Sequence, residues 1–436
     1  MKILILDAAP PHTIHSGKSV RLLNLLMRLR RRHEIHYLTI VGPAAPRDVP
    51  SWIREHVSSA RVWTTTQREF LPGRYANWVA MQPWFYAPWR YPEDHRKLSA
   101  ELQRLLADEH VDLVHCFDGE VAQFLPAQSA CPWIDDPADA MTLHARRRAQ
   151  QSPRFADRLM WGTTAWRWAR YERQIMHRAS ATVYVSPIDA ACHRTHDTRH
   201  KVHVISNGVD TEYFSPAASP PEPGSPPALI LTGHMSYGPN HDAAMYLIRD
   251  LLPRIRAHVP DVACWIVGAE PRPELIAQRD GDRLVVTGRV DDLRPWMAKA
   301  TVYACSMRLG AGIKNKLLES MAMGKAIVTT RRGAEGLDIR HDEHALLVDD
   351  DDEGFIRHVV ALLRSPQDRA RLGQAARRFV LERHSWDATV AAYESLYRQV
   401  VDAAAAAQPA RSKIHWSLPA GSSGGTLSSR KTKERS

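Results

Sequence analysis

The sequence has few cysteines and no long apolar run. Five cysteines are scattered at positions 116, 131, 192, 264 and 305 of 436 residues, and none forms a CxxC pair. An odd, dispersed set argues against a disulfide framework or a zinc site, so buried free thiols are expected. No stretch approaches the ~20 apolar residues that span a bilayer. The start, MKILILD, turns acidic too soon for a signal peptide and predicts a buried strand.

The charge balance is basic. Lysine and arginine number 58 against 48 acidic residues, for a net charge of +10. Such an excess favours polyanionic partners such as phosphorylated substrates, anionic lipid or nucleic acid. The hydrophobic fraction of 44% and the length fit a globular chain of two or three domains. We expect a cytoplasmic protein that does not cross a membrane, although it could attach to the surface of the inner membrane.

Strand-like apolar runs alternate with amphipathic helical stretches along both halves of the chain. The runs are 2–6, 35–41, 111–117, 182–186 and 202–206 in the first half, and 228–232, 264–267, 283–287, 301–305, 326–329 and 345–348 in the second. This alternation is typical of parallel sheets covered by helices on both faces. The predicted fold class is therefore α/β, with two Rossmann-like domains that face a central cleft.

A proline cluster separates the two halves. The stretch SPAASPPEPGSPPA, residues 215–228, contains six prolines and cannot continue a helix or a central strand. We therefore predict an N-terminal domain over 1–214, a linker over 215–228, a C-terminal domain over 229–400 and a disordered tail over 407–436. The cleft between the domains is the expected ligand site.

Two segments, 74–92 and 158–178, interleave tryptophan, tyrosine and phenylalanine with arginine. Such surfaces suit membrane interfaces, glycan stacking or nucleic acid. The alternative is ordinary packing of the rings beneath solvated arginines. The sequence leaves both interpretations open.

The strongest site signal is RLGAGIKNKLLESMAMGKAIVTT, residues 308–330, which lies between two predicted strands. Gly310 and Gly312 allow backbone amides to approach a ligand, and a helix expected to begin near 313–314 directs its positive end there. Lys316 in the first turn can neutralise phosphate charge. Glu319 shares its face, where a carboxylate can accept hydrogen bonds from a ribose diol. The pattern predicts a diphosphate site, although a Gly-rich turn with a Lys–Glu pair would look similar.

Two further loops have related geometry. In LILTGHMSYGPNHDAAMYLI, residues 229–248, a strand is followed by Gly233 and then by a helix start at Pro239. The loop GAEGL, residues 333–337, lies beside the strand over 326–329. The first of these loops therefore has the strand–glycine–helix geometry of a phosphate site.

Taken in order, these motifs resemble a known family. The series NGVDTEYF, the proline break, TGHMSYGPNHDA, WIVG, VTGRVDDLRPWMAKA, GAGIKNKLLESMAMGKAIVTT and GAEGL is similar to family-4 glycosyltransferases of the GT-B fold. Within that family it most resembles bacterial sugar transferases of exopolysaccharide gene clusters, including those associated with exosortase systems. The likeness covers roughly residues 1–400.

The resemblance implies roles for named residues. Lys316 would meet the donor diphosphate, Glu319 the donor ribose, and His115 a donor sugar or an acceptor. Gly17 would line the cleft from the N-terminal half. The implied catalytic set is Lys316, Glu319 and His115, and the implied donor-binding set is Gly233, His234, Gly310, Gly312, Ile313, Lys316, Glu319, Gly333 and Glu335.

The resemblance also implies partners. These are a nucleotide-diphosphate sugar as co-substrate and a glycan or polyprenyl-linked acceptor, with anionic membrane as a further surface. No cofactor, metal or nucleic acid is expected. The implied reaction is sugar transfer with retention of configuration, in exopolysaccharide or surface glycan synthesis.

This chain departs from the family pattern in two places. The family often has a glutamate, contacting sugar hydroxyls, eight positions before Glu319, where this chain has Ala311. An arginine and a lysine often follow the first glycine of the C-terminal half, whereas Gly233 is followed by HMSYGPNH. Ala311 therefore keeps a second hypothesis open, a non-catalytic nucleotide-sugar-binding or scaffold protein with the same fold.

Weaker signals give other hypotheses. The segment HSGKS, residues 15–19, resembles the end of a P-loop and suggests an NTPase, but position 12 is His12 rather than the leading glycine. The acidic run 349–353 and the pair Asp135–Asp136 are weak metal candidates. The run is better explained as charge that complements a helix N-terminus.

Overall fold

The chain folds around two open sheets. The structure is a computed structural model that describes residues 1–8, 10–12, 17–42, 46–66, 94–117, 119–126, 129, 131–193, 200–216, 226–310, 312–349 and 351–407. Every strand pair in the two sheets is parallel. The predicted fold class, α/β with two Rossmann-like halves, is confirmed.

The first sheet has seven strands in the order β3-β2-β1-β4-β5-β6-β7. They are β1 (Lys2–Asp7), β2 (Glu34–Val41), β3 (Ser59–Thr64), β4 (Leu113–Phe117), β5 (Trp133–Ala138), β6 (Ala181–Tyr184) and β7 (Val202–Val204). The order reverses between β1 and β4, and ligands bind beside the carboxyl ends of strands at such a point.

The second sheet has six strands in the order β10-β9-β8-β11-β12-β13. They are β8 (Ala228–Thr232), β9 (Ala263–Val267), β10 (Leu284–Val286), β11 (Val302–Cys305), β12 (Ile327–Thr330) and β13 (Leu346–Val348). Its order reverses between β8 and β11. The two glycine loops after β8 and after β11 therefore lie at the place where this topology binds ligands.

Helices cover both faces of each sheet. Those of the first half are α1 (Gly17–Leu29), α2 (Ser51–Arg54), α3 (Asp94–Asp108), α4 (Met141–Gln151), α5 (Phe155–Arg178) and α6 (Pro187–Ala191). Those of the second half are α7 (Gly238–Tyr246), α8 (Leu252–His258), α9 (Pro273–Ile276), α10 (Arg294–Lys299), α11 (Asn315–Ala322), α12 (Asp352–Arg364), α13 (Pro366–Arg383) and α14 (Trp386–Ala407). A π-helical turn, Leu247–Leu251, joins α7 to α8.

The last helix returns to the first half. Val390, Tyr393, Leu396 and Tyr397 of α14 pack in the same buried cluster as Leu22 of α1 and the strands of the first sheet. Chain order alone suggests that this segment belongs with the C-terminal half. Its apolar face is buried against the first half, so α14 ties the two halves together.

Most predicted strands are present within a residue or two of their expected bounds, and two were missed. Strand β3 lies at the sheet edge with a mixed, half-exposed pattern, and β5 contains the sequence WIDDPA, whose acids and proline disfavour a strand. Four of the five free cysteines are buried, as expected. The segments 217–225, 67–93 and 408–436 lie outside the described residues, so the predicted linker, tail and domain bounds stay predictions.

Candidate active site

The two switch points face each other across a cleft. Helix α1 begins after β1, α11 begins after β11, and a Cβ placed on Gly17 would lie 3.7 Å from Asn315 Nδ2. Between them is a cavity of about 330 Å³. It is lined from the first half by residues that include Lys18, Phe117 and Asp139, and from the second by Gly312, Ile313 and Asn315. Gly17 is also among the lining residues, and its place near a reacting sugar stays a prediction.

The loop after β8 requires glycine at position 233. Gly233 has a backbone φ of +151°, an angle that residues with a side chain rarely adopt. A Cβ there would lie 2.8 Å from Asn240 Nδ2 and 2.9 Å from Lys316 Nζ. The glycine therefore lets a backbone segment, an amide and an ammonium group meet in one place.

Helix α11 directs its amino end at the same spot. Its N-cap, Lys314, makes no side-chain capping bond, so the first-turn amides remain available to an anion. Gly310 and Gly312 in the preceding loop have φ of +106° and +67°. A Cβ on Gly310 would lie 3.5 Å from Pro239 Cβ, so the loop after β11 packs against the first turn of α7.

A lysine on α11 lies beside the loop after β8. Lys316 Nζ donates to Asn240 Oδ1 at 2.5 Å, and Asn240 Nδ2 donates to the carbonyl of His234 at 2.9 Å. Asn240 thus fixes the ammonium beside the loop after β8. The loop itself has no arginine or lysine, and the ammonium group beside it comes from a neighbouring element.

The lysine and glutamate of α11 lie in a desolvated setting. Burial lowers the pKa of Lys316 to about 8, although the nearby charge of Glu319 acts to raise it. Burial raises the pKa of Glu319 to about 7, against the opposing charge of Lys316. No residue in the described ranges donates a hydrogen bond to the Glu319 carboxylate. Paired shifts of this kind are common at functional sites, and the contact of the two residues with a donor stays a prediction.

Two family models match the chain. The model described as Glycosyltransferase Family 4 matches residues 15–213, and the model described as Glycosyl transferases group 1 matches residues 226–365. The matched stretches are the two halves that meet at the cleft. The chain belongs to the family-4 glycosyltransferases.

Curated relatives of this glycosyltransferase match parts of it. A lipopolysaccharide core biosynthesis glycosyltransferase of Rhizobium meliloti is 32% identical over 32% of this chain and 43% of the relative. A GDP-mannose-dependent α-(1-6)-phosphatidylinositol monomannoside mannosyltransferase of Mycolicibacterium smegmatis is 28% identical over 41% of this chain and 51% of the relative. The chain thus spans about half or less of the length of these two relatives.

Solved structures share the GT-B architecture. Sucrose-phosphate synthase of Thermosynechococcus elongatus superposes with a TM-score of 0.64 and 17% identity, over 92% of this chain and all of the other. The Anabaena protein HepE in complex with UDP superposes with a TM-score of 0.63 and 15% identity, over the same shares. At this identity the likeness establishes the fold alone.

Two residues of the implied donor-binding set, Glu335 and His234, make hydrogen bonds to other side chains of the protein. The Glu335 carboxylate receives both terminal nitrogens of Arg147, at 2.8 and 2.6 Å, and one from Arg332 at 3.0 Å. It therefore bridges the two halves. The His234 ring nitrogen Nδ1 lies 2.9 Å from Ser236 Oγ, and a contact of this side chain with a donor stays a prediction.

Gly333 and Ile313 support the site from the side. A Cβ on Gly333 would lie 2.8 Å from Cys305 Sγ, which packs the GAEGL loop against the end of β11. Ile313 lies at the cleft beside Gly336, where a Cβ would be 3.0 Å from its side chain. Both residues hold loop geometry, and their contact with a donor stays a prediction.

His115 is placed differently from the expectation. Its ring is fully buried, with Nδ1 2.8 Å from the Tyr397 hydroxyl and Nε2 3.2 Å from Asp136 Oδ2. The predicted direct contact with a sugar or an acceptor is therefore not supported. The predicted strand is present, but this side chain packs into the contact with α14.

The buried network around His115 reaches the site indirectly. Burial raises the pKa of Asp136, but the Arg21 guanidinium and the hydrogen bonds to the carboxylate hold it below its usual value. Arg21 Nη1 donates to Asn207 Oδ1 at 2.7 Å, and Asn207 Nδ2 donates to Asn315 Oδ1 at 3.0 Å. This chain of contacts connects α14 to the first residue of α11.

The residues behind the rival hypotheses have local structural roles. Lys18 of the P-loop-like segment pairs with Asp7 at 2.6 Å. Asp351 accepts a hydrogen bond from the amide of Gly354 at 3.0 Å as the N-cap of α12, which matches the interpretation of the acidic run as a helix N-terminus. Within the described ranges, no group of three histidine, cysteine, aspartate or glutamate side chains could hold a metal ion.

The structure adds two site residues that the sequence did not single out. Asn240 stands in a segment that signalled only a helix start, yet it positions Lys316. Asp139 follows the missed strand β5 and lies in the cleft. A carboxylate directly after a strand at a switch point would have been a usable signal, had β5 been recognised.

Proposed function

We propose that this protein transfers a sugar from a nucleoside diphosphate sugar to a glycan or lipid-linked acceptor during the synthesis of exopolysaccharide or another surface glycan. The observation that carries the proposal is the convergence of the Gly233 loop, the Lys316 ammonium and the uncapped amino end of α11. Asn315, the first residue of that helix, faces the first half across a cavity of about 330 Å³, a volume within the range of ligand pockets.

The chemistry follows from the charge that the reaction develops. Cleavage of the donor leaves a nucleoside diphosphate, whose extra negative charge must be stabilised. Lys316 and the α11 amides are fixed in a partly desolvated site, where such groups act most strongly. Glu319, with its unused acceptor oxygens, suits a ribose diol. Retention of configuration is proposed on the resemblance to the family.

The acceptor class is proposed from the names of relatives. One relative acts in lipopolysaccharide core biosynthesis and another is a phosphatidylinositol monomannoside mannosyltransferase. Both names describe glycolipid products. They favour a lipid-linked acceptor, and with it a place of work at a membrane surface.

A charged hairpin supports a membrane surface as partner. Helices α4 and α5, residues 141–178, contain nine arginines and two acids, which accounts for +7 of the net +10. Both acids, Asp157 and Glu172, are buried. Phe155, Leu159 and Trp166 are 79%, 57% and 63% exposed, and their spacing places them on one face of α5. Among the described helices, none is both long and apolar enough to cross a membrane.

Vesicle flotation tests the membrane proposal. Wild-type protein should float with phosphatidylglycerol-containing vesicles and less with phosphatidylcholine alone, and salt should weaken binding because each basic residue contributes about 1 kcal/mol near the surface. The variant Phe155→Ser/Leu159→Ser should lose most flotation, whereas Leu381→Ser, at an exposed leucine of α13, should keep it. Equal flotation with both lipids at low salt would overturn the proposal.

The transfer proposal is tested with a donor panel. UDP- and GDP-sugars are screened for protection against thermal unfolding, and the best labelled donor is then incubated with bacterial membranes. We expect label in the lipid or glycan extract with wild-type protein, and at least a tenfold loss in Glu319→Ala. The scaffold alternative, which Ala311 favours, predicts donor protection without any transfer of label.

A further inference from the structure

Strand β5 ends in a strained turn that sets one carboxylate into the cleft. The register between β5 and β6 shifts between Asp135 and Ala138, and Ala138 then has φ of +64°. This conformation costs a residue with a side chain about 1–2 kcal/mol. Outliers of this kind cluster at functional sites, where the surrounding structure holds them in place. The residue that follows the strained position is Asp139.

The carboxylate of Asp139 lies against the backbone of the loop before α11. A Cβ placed on Gly312 would be 2.5 Å from Asp139 Oδ1, so a side chain at 312 would require the carboxylate to move. The contact joins the two halves, and both residues line the cleft cavity. Among residues with a described position, none pairs with or donates a hydrogen bond to this carboxylate.

The surroundings of Asp139 suit a carboxylate that awaits polar partners. Burial raises its pKa to about 6, the charge of Asp189 adds to this rise, and Lys314, Arg21 and Arg147 oppose it. The group is thus ionised above about pH 6 but poorly compensated. Hydroxyl donors are the partners that such a carboxylate lacks.

The sequence lacks a carboxylate at the neighbouring position. Residue 311, directly before Gly312, is alanine, where the family resemblance implies a glutamate that contacts sugar hydroxyls. We propose that the Asp139 carboxylate binds hydroxyl groups of the transferred sugar, and so performs from the N-terminal half the task that Ala311 cannot. This inference rests on the proposed function, because it assumes a sugar nucleotide in the cleft.

Selectivity among donor sugars would then depend on the N-terminal half. Asp139 lies in the half opposite to Lys316 and Glu319, so it would read the sugar while those two residues read the diphosphate and the ribose. A donor would be held fully only when the halves are closed over it. Discrimination among sugars would depend on Asp139, and affinity for the nucleotide would not.

A comparison of sugar nucleotides with their sugar-free nucleotides tests the proposal. Dissociation constants are measured by calorimetry at about pH 7.5, above the raised pKa of Asp139, for UDP-glucose against UDP and for GDP-mannose against GDP. The proteins are wild type, Asp139→Ala, Asp139→Asn and the control Asp108→Ala, at an exposed acid of α3. Asp139→Ala should weaken the preferred sugar nucleotide about 10- to 100-fold, the usual effect of a lost charge-assisted hydrogen bond, and leave its nucleoside diphosphate within about twofold. Asp139→Asn should lose less, and Asp108→Ala nothing.

Each result decides between the two levels of the proposal. If wild type binds neither nucleotides nor sugar nucleotides, the proposed function fails and this inference falls with it. If wild type binds both but Asp139→Ala leaves the sugar nucleotide unchanged, only the role of Asp139 is overturned. An equal loss for the sugar nucleotide and for its nucleoside diphosphate would also overturn it, because Asp139 would then merely hold the loop at Gly312.

Discussion

Replacing Lys316 by methionine should have two effects: it should stabilise the ligand-free protein against unfolding, and it should weaken the binding of nucleotides. The ammonium is desolvated, and its pKa falls from 10.5 to about 8. That shift corresponds to about 3 kcal/mol of unfavourable free energy in the folded state. Because the side chain is partly exposed and bonded to Asn240, the net gain on removing the charge should be about 1–2 kcal/mol.

The sign of the effect depends on pH. A base with a lowered folded-state pKa binds fewer protons in the folded state between about pH 8 and 10.5, so stability from this group rises with pH through that window. At about pH 7 the full penalty is present, and Lys316→Met should raise the unfolding midpoint by about 2–4 °C per kcal/mol. Above the window the two proteins should converge.

Binding should change in the opposite direction. Loss of a charge-assisted contact with a diphosphate costs about 1.5–3 kcal/mol, or about 10- to 100-fold in the dissociation constant for UDP or GDP. Urea unfolding at about pH 7 and calorimetry with both nucleotides measure the two effects. Lys299→Met, at an exposed lysine of α10, is the matched control and should change neither. A variant that is less stable than wild type, and binds nucleotide as well, would refute the assignment.

Three further predictions concern the surrounding groups. Burial raises the pKa of Glu319 to about 7, so the affinity of wild type for its donor should rise as the pH increases through this value. Glu319→Gln should bind the donor about tenfold more weakly and show no such rise; a parallel pH profile in the variant would contradict this. Arg147→Met and Glu335→Gln should each destabilise the protein: the first removes two of the three hydrogen bonds to the Glu335 carboxylate, and the second removes the charge partner of Arg147. A double-mutant cycle read by urea unfolding should give a coupling of at least about 1 kcal/mol; strict additivity would show that this ion pair does not join the halves. Tyr393→Phe removes a hydroxyl that accepts a hydrogen bond from Arg21 and donates one to Asp136. The free energy of unfolding should fall by about 1–3 kcal/mol. A change below about 0.5 kcal/mol, as expected at an exposed site, would mean that these contacts do not stabilise the fold.

The sequence predicted the parts of the fold that depend on simple periodicity. Continuous apolar strands such as β8 and β11, each followed by a glycine loop and a helix, were recognisable because buried parallel strands have few polar residues. Strand β5 was missed because Asp135 and Asp136 interrupt its apolar pattern. Both carboxylates are buried, a burial that only partners from other elements make tolerable.

The proximity of some candidate groups was predictable because one segment holds them. Gly310, Gly312, Lys316 and Glu319 lie on one loop and the helix that follows it, so their convergence follows from local geometry. The role of Asn240 and the position of Asp139 depend on contacts between distant segments, which a local pattern does not encode. The burial of His115 was unpredictable for the same reason, since its partner Tyr397 on α14 lies 282 residues later in the chain.

The acidic run shows what elementary electrostatics can decide. Residues 349–353 could be mistaken for a metal site by composition alone. Their place before a predicted helix favoured charge complementing the helix dipole, and Asp351 does cap α12. Helix dipoles enter the proposed mechanism in the same way, because the amino end of α11 is directed at the leaving diphosphate.

The central claim is that Lys316 and the amino end of α11 stabilise the leaving diphosphate without a metal ion. The most direct measurement is the rate of sugar transfer by metal-stripped protein in EDTA, for wild type, Lys316→Met and Lys299→Met. We expect full activity for wild type and Lys299→Met, and at least a tenfold loss for Lys316→Met. Complete loss of wild-type activity in EDTA, with recovery on addition of Mn²⁺ or Mg²⁺, would contradict the claim.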